Sequence, residues 1–316
     1  MTSSLFFIQL LNGLQLGVLL FMLSAGLTLV FGIMSFVNLA HGCLYMMGAY
    51  FAATVYAATD SFLAAGVAAV VGGGLLAALV EWVVARRLYA RDHLDHVLAT
   101  FGLILFFNEL ARWVWGASPS YMNVPPALSG TLDILGVMYP MYRFAIIGAG
   151  LMAALGCYLL IAKTRVGMLI RAGSLNPTMV AALGVNIRLL NALVFSLGGA
   201  LAGLAGLMSS PILSVQPGMG EPILILVMIV IVIGGIGSVQ GAFYAALMVG
   251  LIDTAGRAFL PMLLREFIDR SSAQAAGPAI ASMLTCVFMA TVLALRPQGL
   301  FPVKNKGGFK YEVQQR

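Results

Sequence analysis

The chain has 316 residues, 61% hydrophobic and only 9% charged, with a net charge of +6 and a mean hydropathy of +1.01. A soluble domain carries about 45–50% apolar and about 25% charged residues, so an ordinary water-soluble fold is excluded. The expected fold is an all-α polytopic membrane protein, one transmembrane domain over 1–316, with about nine segments (about eight to ten). The basic excess does not point to nucleic acid, because the Lys and Arg residues cluster at the ends of apolar runs, where the positive-inside rule puts them. Cys43, Cys157 and Cys286 sit in apolar runs without metal-ligand spacing, so no metal is expected. The amino end has no basic region and no clear cleavage motif, so no cleaved signal peptide is expected.

Residues 1–10 read as a short apolar lead into a first span over Leu11–Phe31, with Gly13 and Gly17 as a small-xxx-small pair for close helix packing. FGIMSFVNLAHG (31–42) then places Asn38 and His41 near the hydrocarbon between Gly32 and Gly42. Polar groups at that depth pair internally or face a cavity. Two readings stand: a broken segment facing a translocation path, or a turn at the membrane surface. Spans follow over Cys43–Thr59 and Phe62–Ala85, with a turn at Asp60-Ser61. Gly72-Gly73-Gly74 allows a kink or a close neighbour. Glu81 is placed near the interface, and Arg86, Arg87 and Arg91 mark that side as cytoplasmic.

The fourth span covers Leu94–Trp115, with Trp113 and Trp115 as interfacial anchors. Glu109 either pairs with Arg112 at i, i+3 or lines a substrate path. Residues 116–140, with four prolines, read as a non-cytoplasmic loop that could hold a short surface helix, before a fifth span over Met141–Ile161.

The polar stretch 163–188, KTRVGMLIRAGSLNPTMVAALGVNIR, carries four basic residues and no acidic one. Asn176 as N-cap, Pro177 at the first helical position and Gly184 past the end predict a helix of about two turns. A helix that short needs support, from its own protein or from a soluble partner.

The sixth span, Leu189–Ser210, carries SLGGALAGLAG, whose Gly199 and Gly203 build a small-residue packing face. ILILVMIVIVI (223–233) makes only about 17 Å of helix, short of a core about 30 Å thick. It ends in a knot of glycines, Gly234, Gly235 and Gly237, as a discontinuous membrane helix does. A span over Val239–Leu260, a surface segment at 261–277 and a last span over Pro278–Leu295 complete the series, and a basic tail occupies 296–316.

With nine spans the amino end is outside and the carboxyl end inside, and twelve of the 17 Lys and Arg residues fall on the cytoplasmic side. There is no G-x-x-x-x-G-K-[ST], HExxH or G-x-S-x-G, so no ATP site, catalytic residue or cofactor is expected on this chain. The spans carry almost no acids or histidines, which argues against a proton relay and leaves a pathway without obvious internal ion coupling; a channel or ion-coupled carrier stays as the alternative class.

FGIMSFVNLAHG, the stretch from Val166 to Gly206, the knot GGIGSVQGA and LRPQGLF near the end lie in one order along essentially the whole chain. In these motifs the sequence resembles the permeases of branched-chain amino acid ABC transporters, in particular the high-affinity type that pairs with a second, unlike permease. The resemblance implies the transmembrane subunit of an ABC importer in a bacterial inner membrane. Its partners would be that second permease, two ATPase subunits carrying ATP and Mg, and a periplasmic solute-binding protein. It also implies that 163–188 holds coupling helices, with Gly167, Arg171, Ala172, Ala181, Ala182 and Gly184 matching the recurring pattern. Relatives often have an acidic or polar cluster where this chain has Ser174-Leu175-Asn176-Pro177. Relatives in this group also move urea, short amides or aromatic carboxylates.

Overall fold

The computed structural model describes residues 3–134 and 136–301, so most of the basic tail lies outside the described residues. The helices are α1 (Ser3–Met34), α2 (His41–Thr59), α3 (Phe62–Leu88), α4 (His93–Trp115), α5 (Met141–Lys163), α6 (Arg165–Leu175), α7 (Pro177–Ala182), α8 (Ile187–Ser209), α9 (Gly220–Gly234), α10 (Val239–Leu264) and α11 (Arg270–Leu295). The only sheet among the described residues is a hairpin, β1 (Thr131–Ile134) and β2 (Val137–Pro140), in the loop before α5.

Among the described residues, seven helices are long and apolar enough to cross a membrane: α1, α3, α4, α5, α8, α10 and α11. This is coarser than the nine segments expected. The 19-residue α2 and the shorter apolar helix α9 both begin inside the bundle. The His41 ring at the start of α2 bonds the Leu23 carbonyl at 3.1 Å. Leu23 lies eleven residues, about 16 Å of helix, before the end of α1. At the start of α9, Asn108 Oδ1 accepts the Gly218 N–H at 3.1 Å. Asn108 is seven residues, about 10 Å, short of the end of α4. The 15-residue α9 is itself roughly 22 Å long. The two helix starts abut: a Cβ on Gly42 would lie 2.5 Å from the Gly220 carbonyl oxygen.

The centre is α1 and α8, whose apolar windows are 78% and 67% buried, against 17% for α10 and α11. Hydrocarbon tails give apolar helices no reason to associate, so close backbone packing has to hold the bundle. The small-residue face of α8 supplies it. Gly198 lies against Gly26 of α1, Gly203 against Gly48 of α2 and the Ala69 carbonyl of α3, and Gly206 against Tyr45 and Ala49 of α2. Hydrogen bonds reinforce the same seams: Tyr45 donates to Ser209 Oγ at 2.7 Å, and Ser196 to the Gly74 carbonyl at 2.8 Å.

Several boundaries differ from expectation. The apolar lead is helical from Ser3, so α1 runs 32 residues rather than starting at Leu11. The loop at 116–140 holds a hairpin and a 3-10 turn, not a surface α-helix. The last span begins at Arg270, with Gly277 and Pro278 inside it, because Asp269 caps its first turn. Glu81 is fully buried rather than interfacial.

Candidate functional site

The stretch 163–188 folds as two short helices, each with a side-chain cap. Thr164 Oγ1 accepts the Gly167 N–H at 3.0 Å and opens α6; Asn176 Oδ1 accepts the Met179 N–H at 2.9 Å and opens α7. A third cap, Asn186 to the Leu189 N–H at 3.1 Å, starts α8. Gly184 adopts φ +86°, a left-handed conformation that a Cβ resists, and so lets the chain turn back into α8.

The pair of helices rests on the bundle through a few small or buried residues. Gly167 fits against the Leu160 and Ile161 carbonyls, where a side chain would collide. Gly173 lies near Leu190 and Ile33, and Ile170 and Val180 are buried. Arg171 donates to the Ile161 carbonyl, tying α6 back to the end of α5. Ala172 is half-buried, and its carbonyl accepts the Asn176 N–H at 3.1 Å. On the other side Ala181 and Ala182 are exposed. Leu175 at the end of α6, Met179 on α7 and Leu183 just past α7 are 60%, 60% and 77% exposed. A buried, capped inner face thus carries an apolar outer face bordered by basic residues.

The second region is the interior junction where α2 and α9 begin. Asn38 and His41 are 2% and 1% exposed. His41 is satisfied by the Leu23 carbonyl, whereas neither heteroatom of the Asn38 amide has a partner. Glu109 lies elsewhere, on the exposed face of α4, 2.6 Å from Arg112. Gly199 and Gly203 pack on α3 at the Gly73 and Ala69 carbonyls. Gly234 lies against Gly241 of α10, and Gly235 and Gly237 take φ +99° and +82°.

Three groups escaped sequence reasoning. Asn108 donates to Glu221 at 2.7 Å while accepting from Gly218, fixing α9 to α4; the partners are more than a hundred residues apart and carry no local signal. Buried Glu81 accepts from Arg86 at 2.9 Å and from Tyr89 at 3.1 Å. A π turn at Glu81–Ala85 makes that possible by bringing residues five apart together, which the usual three-or-four spacing does not. The LRPQGLF motif closes the end of α9: the Leu300 N–H donates to the Ile233 carbonyl at 2.8 Å and the Phe301 N–H to that of Gly234 at 3.1 Å. These are carbonyls that a helix end leaves without an internal partner.

The family model described as branched-chain amino acid transport system / permease component matches residues 9–293. The chain is 29% identical over 263 residues to the high-affinity branched-chain amino acid transport system permease protein BraD of Pseudomonas aeruginosa, covering 78% of this chain and 85% of the relative. It is 27% identical over 275 residues to the corresponding LivH of Escherichia coli K12, covering 83% and 89%. A probable branched-chain amino acid transport permease protein LivH of Methanocaldococcus jannaschii is 25% identical over 303 residues, covering 91% and 90%. No solved structure is a significant match.

Proposed function

The chain belongs to the permease family of branched-chain amino acid transport systems, and from that premise we propose how it takes part in import. It is the transmembrane permease subunit of an ABC importer and a transporter component rather than an enzyme. In our reading it pairs with a second, unlike permease, receives solute from a periplasmic binding protein, and is driven by two cytoplasmic ATPase subunits that hold ATP and Mg. It crosses the inner membrane nine times, with the amino end periplasmic and the basic carboxyl end cytoplasmic. The distribution of Lys and Arg supports this orientation. The contact of residues 300–301 with the end of α9 puts those two chain segments on one side, as nine crossings require.

The observation that carries the coupling role is the exposure of Leu175, Met179 and Leu183 on and beside two capped helices that bury Ile170 and Val180 against the bundle. Exposed apolar side chains at a water-facing loop mark an interaction site. Ala181 and Ala182 are small enough to let α7 sink into a groove, and Gly167, Ala172 and Gly184 give the unit its close seat and its exit turn. Arg171 braces α6 on α5. Force from the ATPase would enter here and reach α1 and α8 through Ile33 and Leu190, which flank Gly173.

Asn38 and His41 form part of the wall of the translocation path at the junction of α2 and α9. The buried Asn38 amide supports this: among the described residues neither of its heteroatoms bonds a protein group, which leaves both available to a polar group in the path. Glu109, exposed and paired, has no support as a path residue beyond its place on α4. The solute is a branched-chain amino acid, a zwitterion with a small apolar body, and selectivity resides mainly in the binding protein. Uptake of labelled leucine, urea and benzoate into vesicles, each with its own binding protein, tests this. Leucine uptake is expected; strong uptake of another solute without leucine would overturn the assignment.

A further inference from the structure

A groove of about 1230 Å³ runs between α1, α5, α6 and the start of α10. Its sides are apolar, with Phe21, Leu29 and Phe243 on the wall and Leu155, 58% exposed, at the lateral opening. At the end next to α6 stand Arg171 and Arg296, and among the described residues no acidic side chain lines the groove. Arg171 donates to the Ile161 carbonyl, and Arg296 to the Leu300 carbonyl at 3.5 Å. A guanidinium carries five N–H donors, so these contacts leave most of each fork available to an anion.

The opening lies along α5 beside exposed apolar side chains such as Leu155 and Tyr158, and the basic end sits at the level where α5 ends at Lys163. An occupant must therefore be apolar along its length and anionic at one end. We propose that the groove holds one anionic phospholipid, its phosphate on Arg171 and Arg296 and its acyl chains along α1 and α10. Basic pockets between helices at the cytoplasmic surface recognise such headgroups, and planar guanidinium forks suit a phosphate. Because Arg171 and Ser174 of α6 line the same groove, the lipid would brace the coupling helices from the bilayer side. This assignment does not depend on which solute the importer carries.

The test uses the whole importer purified in detergent, with phosphatidylglycerol or phosphatidylcholine titrated in and bound lipid counted by native mass spectrometry. Phosphatidylglycerol should be held about tenfold more tightly than phosphatidylcholine: both offer the phosphate, but the choline ammonium of the latter is repelled by the two guanidinium groups, and a tenfold difference is a like-charge cost of about 1.4 kcal/mol at a partly screened site. Arg296→Gln should erase that difference and Arg296→Lys should restore part of it. Ala154→Trp, which fills the groove, should lower retention of both lipids, and soluble glycerol phosphate should not compete. Equal retention of the two lipids by the unaltered importer, or unchanged retention in both Arg296→Gln and Ala154→Trp, would overturn the proposal. So would a Leu155→Cys thiol that loses its labelling by a lipid-soluble maleimide only when the second permease is present, since protein would then cover the groove.

Discussion

Gly203 sits where α2 and α3 both reach α8, and a Cβ there would strike the Ala69 carbonyl oxygen. Backbone cannot yield as a side-chain tip can, so Gly203→Ala should cost about 1–3 kcal/mol as an overpacked site. Gly102 of α4 faces open space, and Gly102→Ala should instead gain up to about 1 kcal/mol through helix propensity. Thermal unfolding of the two variants in detergent should shift in opposite directions; similar shifts would mean that close packing at α8 is not what the glycine serves. Glu81 and Arg86 make a different residue-scale claim. Glu81 is fully buried and Arg86 one-third exposed, so Arg86→Ala strands a carboxylate and should destabilise by about 3 kcal/mol or more. A change under about 0.5 kcal/mol, usual at surface sites, would show that water reaches Glu81. Asp269 supplies a pH dependence. Hydrogen bonds from the Ser271 hydroxyl and then the Ser272 N–H hold its carboxyl down to about 2. A lowered folded value means that the stabilisation is present above the ordinary carboxylate range and lost as pH falls through about 2. Asp269→Asn should flatten the acid limb of the unfolding profile between about pH 4 and 2; an unaltered limb would contradict the cap's charge dependence.

At the scale of elements, the end of α9 and the LRPQGLF motif form one unit. Gly299 takes φ +82° and packs on Gly235, where a Cβ would lie 2.5 Å from the Gly235 Cα. Gly299→Val should therefore release the Leu300 and Phe301 amides from the end of α9, seen as faster hydrogen exchange at those two positions; retained protection would show that the clamp tolerates a side chain. The motif and the glycine knot were both legible in the sequence, but not their union, because nothing local links residues about 65 apart. What was legible rests on local chemistry. Asn176, Pro177 and Gly184 marked the start and end of α7 because caps and left-handed turns are set by adjacent residues. The long apolar runs marked the seven long helices for the same reason. The extension of α1 back to Ser3 and of α11 back to Arg270 was not legible. A polar or proline-bearing stretch continues a helix once neighbours and caps support it, as Asp269 does for Ser272. Nor was the hairpin at β1–β2 visible in a loop whose prolines and glycines read as irregular chain with room for a short surface helix. In the candidate site, the glycines and Asn38 stood out by type. The burial of Glu81 did not, since a π turn changes which residues meet.

For the molecule as a whole, the arrangement separates a tightly packed centre from a sparsely covered rim. α1 and α8 hold the bundle through backbone contact, while α4, α5, α10 and α11 leave broad apolar faces exposed. α2 and α9 begin together in the interior, and α6 and α7 stand at the far end of α5 and α8 with their apolar side outward. Double replacement of Asn38 and His41 by Ala should reduce uptake in vesicles while the assembled complex is still recovered; unchanged uptake would make the pair ordinary packing at a helix start. The central claim is that a partner ATPase drives this chain through α7. It is tested most directly by reconstituting importers carrying Ala181→Trp or Ala182→Trp and measuring both ATPase recovery and the stimulation of ATP hydrolysis by loaded binding protein. The two positions point about 100° apart on the helix, so at least one bulky ring should block the docking groove. That variant should insert and pair with the second permease yet recover less ATPase and lose stimulation. Full recovery and full stimulation in both variants would show that force enters this chain somewhere else.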